Sequence, residues 1–283
     1  DIELAVARFV RGHRGLALAE EAIVLAADAP LDLRYRSLAM RLEVLIEVDP
    51  SDAVRLSRAA ETARSAACDL KSPWAELDAD NFLACAHSYT GENAGAIRVF
   101  ESITKRAHDL HFGTLERESL GNMATCYVRV GNARAAADTA TKVTELARGV
   151  GDLKFVAGSQ SIRSAALLEL GDLQGARAAA DEAIELSLAS GNDYFAAVTL
   201  LRRADIRARL GDAAAIDDAE LARARAEHAG DIDLVIRADL WALLHVAHSG
   251  AADALARMVD ALAHVDLTKP VLRPPTKRLI DTA

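Results

Sequence analysis

A constant 40-residue period constrains this chain more than any other feature. Gly91-Glu92-Asn93, Gly131-Asn132-Ala133, Gly171-Asp172-Leu173 and Gly211-Asp212-Ala213 follow one another at steps of 40 residues. Weaker markers continue the series: Ser51, in Pro50-Ser51-Asp52, lies 40 before Gly91, Gly12 lies 39 before Ser51, and Gly250 lies 39 after Gly211. About seven units in phase result. Such self-similarity marks a stack of supersecondary units, each burying its apolar face against its neighbours.

A second mark falls roughly half a period later: Gly113, Gly149-Val150-Gly151-Asp152, Gly191-Asn192-Asp193 and Gly230-Asp231. Each unit therefore contains two helices. Glycine supplies the left-handed residue that ends one helix, and the adjoining Asp or Asn accepts from the free N–H groups that open the next. Composition agrees. The 283 residues include 60 Ala and 37 Leu but only 12 aromatics, and no Pro occurs from Trp74 to Lys269. Ala favours helices, Pro breaks them, and sheets need the aromatic and β-branched residues that are scarce here. The expected class is all-α.

Apolar spacing locates the buried faces. Counted from the marker, offsets +5, +9 and +12 hold Ala96, Phe100 and Ile103; Ala136, Ala140 and Val143; Ala176, Ala180 and Ala183; and likewise Leu56, Ala60 and Ala63, and Leu255, Val259 and Leu262. Steps of four and three trace one helical face. After Gly211 the same offsets give Ile216, Glu220 and Arg223, so a one-residue shift that buries Leu221 and Ala224 is expected. Seven residues before each marker stand Ala84, Ala124, Ser164 and Ala204. With the Ala at +5 they define a small-residue seam between paired helices. A large residue at Ala136 or Ala176 should overpack this seam and cost about 1 to 3 kcal/mol, readable as a lowered urea midpoint.

The pattern resembles the tetratricopeptide repeat: a helix with a small residue, Gly-Asp, then a helix with Ala at +5 and apolar residues at +9 and +12. The clearest match is Gly171-Asp172-Leu173-Gln174-Gly175-Ala176, with Ala136, Tyr127 and Phe100 at further motif positions. The period is longer than the common 34, and the Pro that usually closes a repeat is missing. The resemblance implies an α-α superhelix of about seven hairpins over 1–266, with units near 1–30, 31–72, 73–113, 114–151, 152–192, 193–231 and 232–266. Long units rich in Ala and Arg also look like the sensor region of large bacterial transcription activators similar to the maltose regulator, or of related signalling ATPases. A protein-interaction scaffold or sensor module of a larger regulator is the function implied, with a protein, a peptide or other domains of the same polypeptide as partner. The alternative is a small-ligand receptor or enzyme using the superhelix as a cavity.

In such arrays the first helix of each unit lines the groove. Arg129, Arg163, Arg202, Arg203 and Arg207 lie on these first helices, together with Arg209. They form the candidate binding patch, the other reading being a solvated face paired locally, as Asp205 with Arg209 at i, i+4.

Other chemistry finds little support. The net charge of −9 and the few aromatics argue against direct contact with nucleic acid. No apolar run is long enough to span a bilayer, and the Asp1-Ile2-Glu3 start lacks the basic region of a secretory signal. A cytoplasmic location and a piece of a longer polypeptide are expected. Cys68, Cys85 and Cys126 form no CxxC pair and are expected to be packed in hairpins. His245 with His248, near Asp239 and Asp253, and His108 with His111 have partial metal-ligand spacing. No HExxH is present, and hydrogen-bonded His at a helix end is the simpler reading. GxSxG, GxxxxGK[ST] and a strand-borne GxGxxG are absent, so no catalytic residue, metal or cofactor is assigned. From Leu267 to Ala283, Lys269-Pro270, Arg273-Pro274-Pro275 and Lys277-Arg278 read as a linker or tail.

Overall fold

The computed structural model describes residues 12–48 and 52–248. They form twelve helices, and no strand occurs among the described residues. In chain order these are α1 (Gly12–Leu25), α2 (Leu31–Val48), α3 (Ala53–Leu70), α4 (Pro73–Tyr89), α5 (Asn93–Asp109) and α6 (Gly113–Arg129), then α7 (Ala133–Gly149), α8 (Leu153–Glu169), α9 (Leu173–Ala189), α10 (Asp193–Arg209), α11 (Ala215–His228) and α12 (Ile232–His248). The chain divides into two compact units at Gly131/Asn132. The fold is an all-α repeat solenoid.

Local chemistry sets the helix boundaries. A left-handed residue recurs at 20-residue intervals from Lys71 through Gly91, His111, Gly131, Gly151, Gly171 and Gly191 to Gly211. At the clearest turn, Gly171 (φ 81°) donates its N–H to the Leu168 carbonyl and Asp172 donates to that of Leu167. The Asp172 carboxylate then accepts from the Gly175 N–H at 2.9 Å, so one dipeptide closes α8 and opens α9. Asn132 and Asp152 do the same for Ala135 and Phe155 at 3.2 and 3.3 Å. One expected mark moves. The left-handed residue of the third turn is His111 (φ 59°), and Gly113 is already the first residue of α6. The Phe112 N–H closes on the Ala107 carbonyl at 2.8 Å, completing the turn before Gly113 is reached. Histidine is among the residues that tolerate this region best.

In the first unit each helix packs on the next from α1 to α6, and α2 also touches α4, which touches α6. In the second unit the same holds from α7 to α12, with α8 touching α10 and α10 touching α12. Among the described residues, no two odd-numbered helices make such a contact. The even-numbered helices, the first of each hairpin, thus form the tighter layer.

The seam lies where the period places it. Ala84, Ala124, Ser164 and Ala204 are fully buried, as are Ala96, Ala136 and Ala176, and the Ser164 hydroxyl donates to the Ala176 carbonyl at 2.8 Å. Phe100, Ala140, Val143, Ala180 and Ala183 are buried as the offsets require, while Leu255, Val259 and Leu262 lie outside the described residues, as does the tail from Leu267 to Ala283. The register adjustment in α11 runs opposite to expectation. Ala215, Asp218, Ala219, Ala222 and Ala226 are buried, whereas Leu221 and Ala224 are exposed. The reason is a one-residue deletion: Gly211 and Gly230 are 19 apart, against 20 for Gly131 to Gly151 and Gly171 to Gly191. Cys68 is exposed, which also departs from expectation, because it falls on the outer face of α3 beside the buried Ala67. Burial pushes the Cys85 thiol up to about 12 and raises that of Cys126.

Candidate functional site

Polar side chains inside a layer built largely of Ala need partners, and the even-numbered helices supply them to one another. In the second unit, Ser161 of α8 shares a hydrogen bond with Thr199 of α10 at 2.8 Å, and Nη1 of Arg202 donates both to its hydroxyl (2.9 Å) and to its backbone carbonyl (2.5 Å). In the first unit, Asn81 of α4 accepts from Ser119 and Asn122 of α6 at 3.4 and 3.3 Å. These triples are equivalent, since Ser161, Thr199 and Arg202 stand 80 residues, two periods, after Asn81, Ser119 and Asn122. Each links neighbouring first helices through the same positions. Only the second triple contains a charge.

Arg202 belongs to a set of half-buried residues at helical spacing on three successively packed helices. It comprises Gly158, Ile162 and Ala165 on α8, Tyr194, Val198, Arg202 and Asp205 on α10, and Arg237, Trp241 and Leu244 on α12. Trp241 stacks on His245 with centroids 5.0 Å apart. The stripe is mostly apolar, with Arg202, Asp205 and Arg237 as its charged members. Enough protein surrounds the Arg202 guanidinium for burial, and secondarily the nearby Arg237, to lower its pKa to about 10. Its anchors are neutral oxygens, and no carboxylate of the described residues pairs with it.

The other expected arginines have different surroundings. Arg203, next in sequence, turns to the second helices of its own and the preceding hairpin. It makes a bidentate pair with Asp218 (2.8 and 2.6 Å) and reaches Asp181 at 2.7 Å. Nη1 of Arg207 joins Asp218 at 2.9 Å and also donates to the Ala214 carbonyl, while its Nε lies 3.6 Å from Asp212. These two arginines are thus held in an internal ion network around a carboxylate that is 3% exposed. Arg163 occupies the position equivalent to Arg203, but Thr141 and, with the one-residue deletion counted, Ala179 stand where Asp181 and Asp218 would fall one period earlier. It donates instead to Gln160 at 3.4 Å, and Gln160 in turn bonds Glu182, which also binds Arg148. In the first unit Arg129 donates to the Ser88 hydroxyl at 2.5 Å and lies over the Tyr89 ring at 4.6 Å. Arg209 pairs with Asp205 at 3.3 Å.

Sequence reasoning did not single out Ser161, Thr199, Tyr194, Arg237, Trp241 or Asp218. The signal for the first two was the 80-residue echo of Asn81 and Ser119; Asp218 needed the deletion in its repeat to be recognised. His108 bonds Glu116 at 3.2 Å, and among the described residues no three His, Cys, Asp or Glu side chains are grouped as a metal site would require.

Comparison with known proteins supplies the fold. A signal transduction ATPase with numerous domains from Pyrococcus horikoshii, which has a tetratricopeptide repeat sensor, superimposes on 99% of this chain with a TM-score of 0.64 at 14% identity; the match spans 42% of that protein. The fold is that of tetratricopeptide-repeat proteins. A Rap protein solved with the Competence and Sporulation Factor matches 88% of this repeat chain and 71% of its own, with a TM-score of 0.64 at 14% identity. NprR in complex with its cognate peptide NprX matches 93% and 76%, with a TM-score of 0.60 at 12% identity. No protein-family model matches the sequence, and no curated protein matches it. Among the described residues, no helix is long and apolar enough to cross a membrane.

Proposed function

We propose that the chain is a peptide- or protein-binding module, acting as the scaffold or sensor region of a larger bacterial transcriptional or signalling regulator in the cytoplasm. The observation that carries this reading is the stripe on α8, α10 and α12, where half-buried Ile162, Val198, Tyr194 and Trp241 lie at helical spacing on the same three helices as Arg202 and its Ser161 anchor. Apolar surface supplies affinity and a fixed cation supplies orientation, the combination a bound segment needs. NprR with its peptide and the sensor-bearing ATPase are precedents for this use of the fold. Arg202, Arg163 and Arg129 are assigned to partner contact, and Arg203 and Arg207 to holding the layer in place.

Selection of a random peptide library on the full chain tests the proposal. Enriched peptides should bind the wild type and lose at least about tenfold in affinity, by fluorescence polarisation, for Val198→Asp, which buries a charge in the middle of the stripe. Circular dichroism verifies that the variant is folded. No enrichment, or peptides that bind folded Val198→Asp unchanged, would sink the proposal.

A further inference from the structure

Cys85 and Cys126 occupy facing positions on two packed first helices of the first unit. The helices α4 and α6 approach within 8 Å between Cα atoms, and their polar contact is a ladder whose rungs join residues 41 apart. Asn122 donates to Asn81 at 3.3 Å, and Arg129 donates to Ser88 at 2.5 Å. On α4 the positions run 81, 85, 88 and on α6 they run 122, 126, 129, the same steps of four and three along one face of each helix. The two cysteines are therefore the middle rung. Cys126 Sγ donates to Ser88 Oγ at 3.1 Å, one helical turn from Cys85, and after burial itself Cys126 is the next largest cause that raises the Cys85 thiol.

Elsewhere the same rung is apolar. It is Leu45 with Ala86 between α2 and α4, both in one buried cluster, and Ala165 with Ile206 between α8 and α10. Hydrocarbon satisfies the packing, and here two thiols stand in its place. Their surroundings discriminate between the reactions open to them. Burial keeps both neutral, pushing Cys85 up to about 12, so an anionic metal dithiolate is disfavoured, whereas a disulfide is neutral and needs no counter-charge. A disulfide needs Cα atoms about 4.4 to 6.8 Å apart, which closely packed helices with small facing residues reach. Cys85 is half-buried and Cys126 is buried, so an oxidant meets Cys85 first.

We propose that Cys85 and Cys126 close to a disulfide under oxidising conditions, a redox-controlled staple between the first helices of successive hairpins. The inference is independent of the reading of the stripe on α8, α10 and α12. The oxidant is a hydroperoxide, with hydrogen peroxide as the simplest member. Cys85 Sγ attacks one peroxide oxygen; the S–O bond forms, the O–O bond breaks, and the thiol proton leaves with the departing hydroxide as water. Cys126 Sγ then displaces the hydroxyl of the sulfenic acid, and its own proton completes a second water. The two thiols give up two electrons and two protons, all of which the peroxide takes. Few thiolates exist at neutral pH, so closure is slow and answers sustained oxidant rather than a brief pulse.

Hydrogen peroxide acting for hours on the folded full chain tests the proposal, in a Cys68→Ser background that removes the exposed thiol. Non-reducing peptide maps should show one link, Cys85 to Cys126, which dithiothreitol reverses. The thermal midpoint of the linked chain should rise by about 5 °C or more, because the link joins residues 41 apart and restricts the unfolded chain. Cys126→Ala, which copies the Ala86 rung, should give neither link nor rise; should it not fold, Cys85→Ala, which copies Ala165, serves in its place. Both thiols still open to alkylation after denaturation, under peroxide that consumes Cys68 of the unsubstituted chain, overturn the inference. A link that forms only in urea also overturns it, since the folded ladder then does not hold the sulfurs together. So does a linked chain with a lowered midpoint, because a link that strains the fold is not a staple.

Discussion

Replacing Asp218 with Ala is expected to lower the unfolding free energy by about 3 kcal/mol, a large loss for a residue assigned no partner contact. The Asp218 side chain is 3% exposed and accepts from both Arg203 and Arg207, whose side chains are 15% and 16% exposed. Its removal leaves two largely buried guanidiniums with weaker partners. Arg203 keeps Asp181, itself half-exposed, and Arg207 keeps the Ala214 carbonyl and a distant Asp212. Those residual contacts place the loss at the lower end of the range of about 3 to 5 kcal/mol for breaking a buried pair. Urea unfolding checks the magnitude, and amide exchange should show the loss concentrated in α10 and α11, since stacked repeats couple chiefly to their neighbours. Asp218→Asn, which keeps the shape and one acceptor oxygen, should be milder. A change below about 1 kcal/mol for Asp218→Ala would mean that the network behaves as a surface ion pair.

This network also shows where sequence reasoning stops. The fold was legible because its determinants are periodic: Gly171-Asp172 is both cap and terminator, and Ala84, Ala124 and Ala204 are spaced so that the seam follows from counting. The charged contacts are not periodic. Arg202 and Arg203 are neighbours in sequence, but 100° apart around a helix they face different partners, one the preceding first helix and the other two second helices. Which faces acids depends on Asp181 and Asp218, and Asp218 is buried because its repeat is one residue short between Gly211 and Gly230. A positive strip drawn from Arg163 and Arg203 at equal register assumes that equal positions have equal surroundings. Thr141 and Ala179 hold the positions that Asp181 and Asp218 fill one repeat later, and that difference breaks the assumption. His111 makes the same point for backbone. Its turn closes like the Gly turns, but with a residue type that no search for Gly finds.

Phe100→Ala is expected to have the largest effect of any single truncation, about 3 to 5 kcal/mol. A naive comparison of repeats says otherwise, because Ala140 and Ala180 occupy the same offset and are just as buried. Yet a repeat is not a template with interchangeable side chains. Phe100 of α5 is 0% exposed, in a stack where α4, α5 and α6 contact one another, so its ring fills volume that the equivalent Ala140 and Ala180 do not. Deleting the ring removes the dispersion contacts of a large side chain, and close-packed helices relax only partly into the void. Seams lined by Ala84, Ala96 and Ala124 have no long side chains with which to refill it. Urea unfolding gives the size of the loss, and amide exchange should locate it in α4, α5 and α6, the helices that contact one another in this hairpin stack. A loss below about 1 kcal/mol would show instead that α5 closes onto its neighbours as the Ala140 and Ala180 helices do, and that the repeats are interchangeable at this position.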